Sequence, residues 1–182
     1  MLEIKIDAKQ LLRLERTVRD IKNGVAKVLA PAINRALANG ATTVKREIRK
    51  VYTIKAKDIP VKVKKASTNH PVGAVVLADS MLPLEKFQLS GGTRRRPLRA
   101  VVKRGHGGII KSGFMATMPT GHTGAFRRKG PPRLPIKSLL TISAPIMASQ
   151  PNVAPAVTAS MAATLSKRID HEIKRIMDKE GR

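Results

Sequence analysis

The chain has no cysteine and no tryptophan, and its 182 residues include only one tyrosine and three phenylalanines. Without cysteine there are no disulfides, no thiolate metal centres and no cysteine nucleophile. A stacking platform for single-stranded nucleic acid needs a row of rings. Tyr52, Phe87, Phe114 and Phe126 are too scattered to make one. Acidic residues are missing from a long central stretch: residues 86–169 carry 15 Lys and Arg but no Asp or Glu. Paired-carboxylate chemistry cannot be built there. No segment approaches the roughly 18 apolar residues of a membrane helix. The opening MLEIKIDAKQ lacks the apolar centre of a secretion signal, so no leader is expected.

What is present is aliphatic and basic. Hydrophobic residues make up 42% of the chain, enough for one domain with a core of Val, Ile, Leu, Met and Ala. The net charge of +24 is unevenly spread: residues 1–85 contribute +9, residues 86–169 contribute +15, and residues 170–182 balance to zero. A field of one sign on this scale calls for a polyanionic or acidic partner. DNA meets the requirement, because phosphate contacts need only Lys and Arg. An acidic neighbouring subunit meets it equally well.

Periodicity predicts an α+β layout. EIKID alternates as a short strand at residues 2–6. Leu11, Leu12, Leu14, Val18 and Ile21 predict a helix over 8–22, stopped by Asn23-Gly24. A longer apolar stripe follows, from Val25 through Val28, Leu29, Ile33, Leu37, Val44 and Ile48 to Val51. Lys27, Arg35, Lys45, Arg46 and Arg49 lie on the opposite face. Pro31 and Gly40 interrupt the stripe, so this helix is expected to bend there or to split into two in series.

The middle of the chain reads as a mixed, mostly antiparallel sheet. VKVKKA (61–66) alternates like a half-exposed strand, and VGAVVLA (72–78) is apolar on both phases, as in a central strand covered on both sides. These two are expected to pair antiparallel. LRAVVKR forms a further strand, broken by GHGG at 105–108. GFMATM (113–118) and TGAFRR (123–128) form a long basic hairpin across PTGH. SLLTISAPIM (138–147) supplies a last strand, with Leu140, Ile142, Ala144 and Ile146 in phase. A C-terminal helix follows, with Val153, Val157, Met161, Leu165, Ile169, Ile173 and Ile176 on one stripe and Pro151 and Pro155 at its start. Asp170 and Lys174 are spaced to pair across one turn. The organisation expected is a single domain over 1–182: a helical part (1–52), a β-rich basic core (53–147) and the C-terminal helix (148–182).

Nothing in the sequence composes a catalytic site. His70, His106, His122 and His171 have no second ligand at metal spacing. SGG at 90–92 and RGHGG at 104–108 lack the Lys-Ser/Thr ending of a phosphate loop. No enzyme activity, cofactor or metal is therefore expected.

The candidate contact residues are basic: Arg94, Arg95 and Arg96, then Arg99, Lys103 and Arg104, then Arg127, Arg128, Lys129 and Arg133. Neighbouring side chains on a strand point to opposite faces, so a triplet of arginines fits a loop that can turn all its charge toward one partner. Such a surface suits DNA phosphates, an acidic protein surface or plain solvation. Within GAFRRKGPPRLPIKSL (124–139), Phe126 is expected to reach the core. Pro131, Pro132 and Pro135 are expected to stiffen a chain crossing, pinned by Leu134 and Ile136 ahead of the last strand. No base-reading motif is present, so any DNA contact would be independent of sequence.

Several of these segments, in this order, resemble one family. VYTIKAKDI follows a basic helix, LPLEKF precedes a basic hairpin, and Gly113-Phe114-Met115-Ala116, Gly124-Ala125-Phe126-Arg127-Arg128 and Arg133-Leu134-Pro135-Ile136 come before Pro145 and Met147. The set is similar to the minor tail protein Z family of long-tailed bacteriophages and prophages, the tail-completion proteins of lambda-like phages. The likeness spans about residues 45–150, with helices at matching ends. It implies a structural virion protein at the head–tail junction, a ring subunit (commonly one of six) around the DNA channel. Its implied partners are copies of itself, other neck and tail proteins and the DNA in the channel. It implies no membrane, and a location in the virion after assembly in the host cytoplasm. The reading that competes with it is a sequence-independent nucleic-acid-binding module.

Overall fold

A computed structural model describes residues 8–19, 21 and 23–179. The strand expected at 2–6 lies outside the described residues, as does Lys22. The elements run α1 (Ala8–Thr17), α2 (Gly24–Val51), β1 (Val61–Lys64), β2 (Ala74–Leu77), β3 (Met81–Pro83), β4 (Gln88–Ser90), β5 (Arg99–Lys103), β6 (His106–Ile109), β7 (Gly113–Thr117), β8 (Thr123–Arg128), β9 (Ile136–Ser138), β10 (Leu140–Ser143), α3 (Ala144–Ala148) and α4 (Ala154–Lys179). Short 3-10 turns occupy Ala56–Asp58 and Leu84–Lys86. Helices at both ends and antiparallel strands between them make the predicted α+β fold.

The elements group into two compact units that are interleaved in sequence. One takes the chain up to Val44, Val61–Leu77 and everything from Pro151. The other takes Lys45–Pro60 and Ala78–Gln150. The three consecutive parts expected from composition cut the chain elsewhere, because contacts and not composition set these boundaries.

The first unit is helical. Leu14, Val18, Val28, Leu29, Ala32, Ala36, Leu165, Ile169 and Ile176 form one buried cluster drawn from α1, α2 and α4. α1 is shorter than its predicted span. Val18 N still donates to Leu14 O, but the chain then turns through Asn23 at φ 58°. α2 runs unbroken through both Pro31 and Gly40, so it does not split into two helices. Pro31 removes one donor from the ladder, yet burial of the stripe on either side of it (Val28, Leu29, Ala32, Ala36) holds the helix. Gly40 allows a close approach, since a Cβ there would collide with Met161 Sδ of α4. Beside it Ser160 Oγ donates to Asn39 Oδ1 at 2.7 Å, with Thr43 Oγ1 3.4 Å from the same oxygen. The small residues in the first half of α4 are what bring these groups within reach.

β1 and β2 pair antiparallel as predicted, Val61 opposite Leu77 through Lys64 opposite Ala74. Among the described residues this sheet has two strands. The segment is not covered on both faces: Val76 of β2 is 37% exposed, and Val72 just before it 76%. Its apolar run had suggested cover on both faces. The ribbon is tethered by Asn34, whose Nδ2 donates to Ala66 O (2.9 Å) and whose Oδ1 accepts from Ala66 N (2.8 Å).

The second unit holds three small antiparallel sheets, β4-β5-β6, β7-β8-β9 and β3-β10. One buried cluster there joins Leu84, Leu98, Ala100 and Ala125, with Leu89, Val102, Ile110, Met115 and Leu139 against them, and Ile48, Ile54, Ile59, Leu82, Phe87 and Met147 are buried in the same unit. GHGG does not end the strand structure. After a turn at Arg104-Gly105, residues 106–109 become β6, with Val101 opposite Gly107. The predicted last strand is also divided. β9 returns along β8, with Arg128 opposite Ile136, while β10 pairs with β3. The chain then enters α3, where Pro145 fills the first turn. Proline fits that position because its missing N–H is not needed there. Leu140 and Ile146 are exposed at 52% and 53%, so the in-phase face expected through 138–147 is not a buried face.

Candidate functional site

The predicted hairpin forms in full register, from Gly113 opposite Arg127 to Thr117 opposite Thr123. That register sets Phe114 opposite Phe126, and their ring centroids are 6.4 Å apart. Phe126 is buried at 7% exposure, as expected. The Arg128 guanidinium lies over the Phe114 ring, 5.9 Å from its centroid, within reach of a cation–π attraction.

The arginine triplet occupies a tight turn. Arg96 N donates to Thr93 O and Thr93 N to Arg96 O, leaving Arg94 and Arg95 at the tip. This turn is held against the hairpin by Met115 N, which donates to Gly92 O at 3.0 Å. Gly92 makes the approach feasible. Its φ is +82°, and a Cβ would lie 2.7 Å from Met115 Cγ and 3.0 Å from Met115 N.

The result is an open groove of about 1040 Å³ lined by Arg94, Lys111, Arg127, Arg128 and Lys129, together with Ser112 and Phe114. Two basic clusters more than thirty positions apart in sequence thus face one space. Among the described residues, none of these five cations has an ion-pair partner. Arg127 Nη2 donates to Lys111 O at 3.1 Å, which ties β8 to the segment leading into β7. Arg127 Nε is buried without an acceptor. An unmet buried donor costs about 1–3 kcal/mol, more when charged.

A model of the prophage minor tail protein Z family matches residues 10–179, which takes in both units and this groove. The chain belongs to that family. No curated protein and no solved structure matches it. As a minor tail protein Z it is a structural component of the phage tail, a constituent of the virion that works among other tail proteins. Among its described residues, no helix is long and apolar enough to cross a membrane, and no group of three His, Asp or Glu is placed to hold a metal.

The other predicted contact residues of this tail protein stand apart from the groove lining. Arg95 and Arg96 are exposed on the same turn as Arg94, and Arg99 is exposed on β5 opposite Ile109. Lys103 bridges Tyr52. Arg104 is occupied by α2: its backbone N donates to Val51 O (2.8 Å) and its Nε to Arg49 O (2.9 Å). Carbonyls at a helix C-terminus have no partner within the helix, and a cation there also offsets the negative end of the dipole. Arg104 is thus a helix cap as well as a surface charge.

Arg133 lies in the proline-rich run, whose architecture differs from the expectation. Pro131, Pro132 and Pro135 do not brace a crossing between distant strands. They form the exposed loop of the β8–β9 hairpin, closed where Lys129 N donates to Pro135 O at 3.0 Å; the Leu134–Pro135 peptide is cis. Leu134 is 67% exposed and pins nothing. Ile136 is half-buried and Pro135 exposed. The loop returns on itself because β9 pairs with β8, which a strictly sequential reading of 124–139 does not anticipate.

Lys111, Ser112 and Phe114 were missed as site residues. The signal lay in the hairpin register: with Gly113 opposite Arg127, residue 111 falls beside 128–129. His122 was also more than a surface turn residue. Its Nε2 is 3.2 Å from Glu85 Oε1, and its ring meets Phe126 edge-on at 6.5 Å. Two buried acids outside the basic region were likewise unforeseen. Glu47 holds Lys50 Nζ (2.6 Å) and Arg46 Nε (3.1 Å), and Glu172 holds Arg175 Nε (2.6 Å). The hydrogen bond from Lys50, aided by Arg46, keeps the Glu47 carboxyl below its usual 4.5 although burial opposes this. The Asp170–Lys174 pair expected on α4 gives way to Glu172–Arg175, one turn of the same helix. Burial pushes the Tyr52 phenol above its usual 10.0.

Proposed function

We propose that this chain is the tail-completion subunit of its phage: a ring component, six copies around the DNA channel, that finishes the head-proximal end of the tail and lets it join the filled head. The family match supports a tail structural role, and the observation that carries the finer reading is the acid-free groove. Five cations are fixed on or beside paired strands and a tight turn, without acidic partners among the described residues. Charge held this way suits a permanent interface at a fixed radius. The role is one of position and contact, with no bond made or broken by the chain itself.

The test is removal of the gene from an inducible prophage, followed by electron microscopy of the lysate. Tails of full length that remain unattached to DNA-filled heads are expected, with attachment restored by the wild-type gene in trans. Normal infectious particles, or tails that stop short, would exclude a completion role. A reconstruction of the neck of the complete particle should show sixfold density for this chain.

A further inference from the structure

We infer that the groove between the Thr93–Arg96 turn and the β7–β8 hairpin is a seat for the sugar–phosphate backbone of DNA, read without regard to base sequence. The inference deepens the ring reading, in which DNA runs past this chain, but its geometry stands on its own.

Three features favour phosphates over an acidic protein segment. First, the edge of β7 is obstructed for an added peptide strand. Gly113 N is taken by Ile110 O and Met115 N by Gly92 O, so two donors that β-augmentation would use are already engaged. Second, the groove offers no deep apolar pocket for an anchoring side chain. Its main aromatic, Phe114, is capped by the Arg128 guanidinium. Protein interfaces draw much of their affinity from buried aromatic or aliphatic anchors; phosphate binding needs none. Third, the lining supplies cations on both walls, Arg94 on one and Arg127, Arg128 and Lys129 on the other, with Lys111 and the Ser112 hydroxyl between. Guanidinium and ammonium groups spread across an open channel match a chain of phosphates. The shortage of aromatic rings that excludes a single-strand stacking platform is no obstacle to gripping a duplex backbone.

A protein of net charge +24 attracts DNA at any point of its surface, so the test must separate the groove from the overall charge. Two triple variants of the full chain remove equal charge from exposed positions. One is Arg94→Ala with Arg128→Ala and Lys129→Ala; the other is Arg13→Ala with Arg16→Ala and Lys167→Ala on the helical unit. Binding of a labelled duplex of about 20 base pairs is followed by anisotropy from about 50 to 300 mM salt. Each phosphate contact contributes about 0.9 to the slope of log K against log salt, so the groove variant should lose about 2–3 of slope and more than about tenfold in affinity at moderate salt. The helical variant should keep the wild-type slope. Equal losses in the two variants would overturn the groove assignment and leave only diffuse attraction. A polyglutamate of matched charge that binds the wild type more tightly than the duplex, and loses that binding in the groove variant, would overturn DNA in favour of an acidic protein. Circular dichroism of both variants checks that each is folded. These outcomes concern the groove alone: a chain absent from the neck would sink the ring reading with DNA binding intact, and absent DNA binding would sink this inference with the ring intact.

Discussion

The two units of this tail protein are nearly equal in length but are held together differently. The helical unit carries 17 Lys and Arg with 8 acids; the β-rich unit carries 19 with 4. The first buries a continuous aliphatic stripe, from Leu14 and Val28 to Leu165 and Ile169. The second buries a similar number of apolar side chains, Ile48, Ile54, Ile59, Leu82, Phe87 and Met147 among them, but it carries most of them on short elements and turns and adds side-chain hydrogen bonds to the backbone. Thr53 Oγ1, for example, donates to Val101 O (2.5 Å) and accepts from Gln88 N (3.2 Å). Packing thus holds both units; in the β-rich unit strand pairing and turn geometry add to it, and that unit's surface carries the less opposed charge.

The largest expected effects probe the packed side of this contrast. Ile169 is 1% exposed within the helical cluster, and Ile169→Ala should cost about 3–5 kcal/mol, as deletions in well-filled cores do. Leu98, fully buried in the β-rich unit, should cost about 2–3 kcal/mol as Leu98→Ala, because half-buried neighbours such as Leu89, Val102 and Ile110 can relax into the space. Guanidinium unfolding of both variants measures the difference. Equal losses would mean that the β-rich core is packed as tightly as the helical one.

Next comes a backbone device that adds to packing in the β-rich unit. Gly92→Ala forces a side chain onto a φ of +82° and into Met115 N. A cost of about 1–3 kcal/mol is expected from the strained backbone. The arginine turn would also be displaced from the hairpin, seen as loss of slow hydrogen exchange at the Met115 amide. Unchanged exchange there would show that the turn is held by something other than the Gly92 contact.

A smaller effect concerns Glu47. Its folded pKa lies below the usual 4.5, so the folded state binds fewer protons than the unfolded chain. The resulting stabilisation is fully present above about pH 5 and fades as pH falls through the folded value. Glu47→Gln should lower stability by about 1 kcal/mol at neutral pH, since its basic partners are mostly exposed and screened by solvent. It should also flatten the acid limb below pH 4.5. A limb identical to wild type would assign the acid sensitivity to other carboxyls.

How much of this was legible in the sequence follows the same division. The stripes of α2 and α4 were readable because helical burial repeats every three to four residues, and Val153 to Ile176 kept that spacing without a break. The β7–β8 hairpin was readable because PTGH separates two runs that alternate. Strand ends were less legible. GHGG looks like a break, since its glycines disfavour strands, yet pairing with β5 made it β6. SLLTISAPIM looked like one strand because its alternation continues past Ser143, but Pro145 suits a helix start better than a ladder. At the site, the basic clusters were visible as sequence. Their convergence on one groove was not, because it depends on Gly92 meeting Met115 across more than twenty residues.

The smallest expected effect is also the sharpest check on the loop. A chain crossing pinned by Leu134 would make Leu134→Asp strongly destabilising, as a charge driven into a core. In the observed hairpin loop Leu134 is 67% exposed, and the loop neck is closed by the backbone bond from Lys129 to Pro135. Neither feature involves the Leu134 side chain. Leu134→Asp should therefore change stability by no more than about 0.5 kcal/mol, like other surface substitutions. Phe126→Asp, three positions before Lys129 begins the loop, should abolish folding of the β-rich unit because that ring is buried against Phe114 and His122. If Leu134→Asp unfolds the isolated chain as Phe126→Asp does, the loop is packed and not free, and the contrast between a pinned hairpin and its open tip fails. If it instead leaves the free chain stable but stops tails from joining heads, Leu134 is an apolar contact for a neighbour in the virion, exposed only until the tail is assembled.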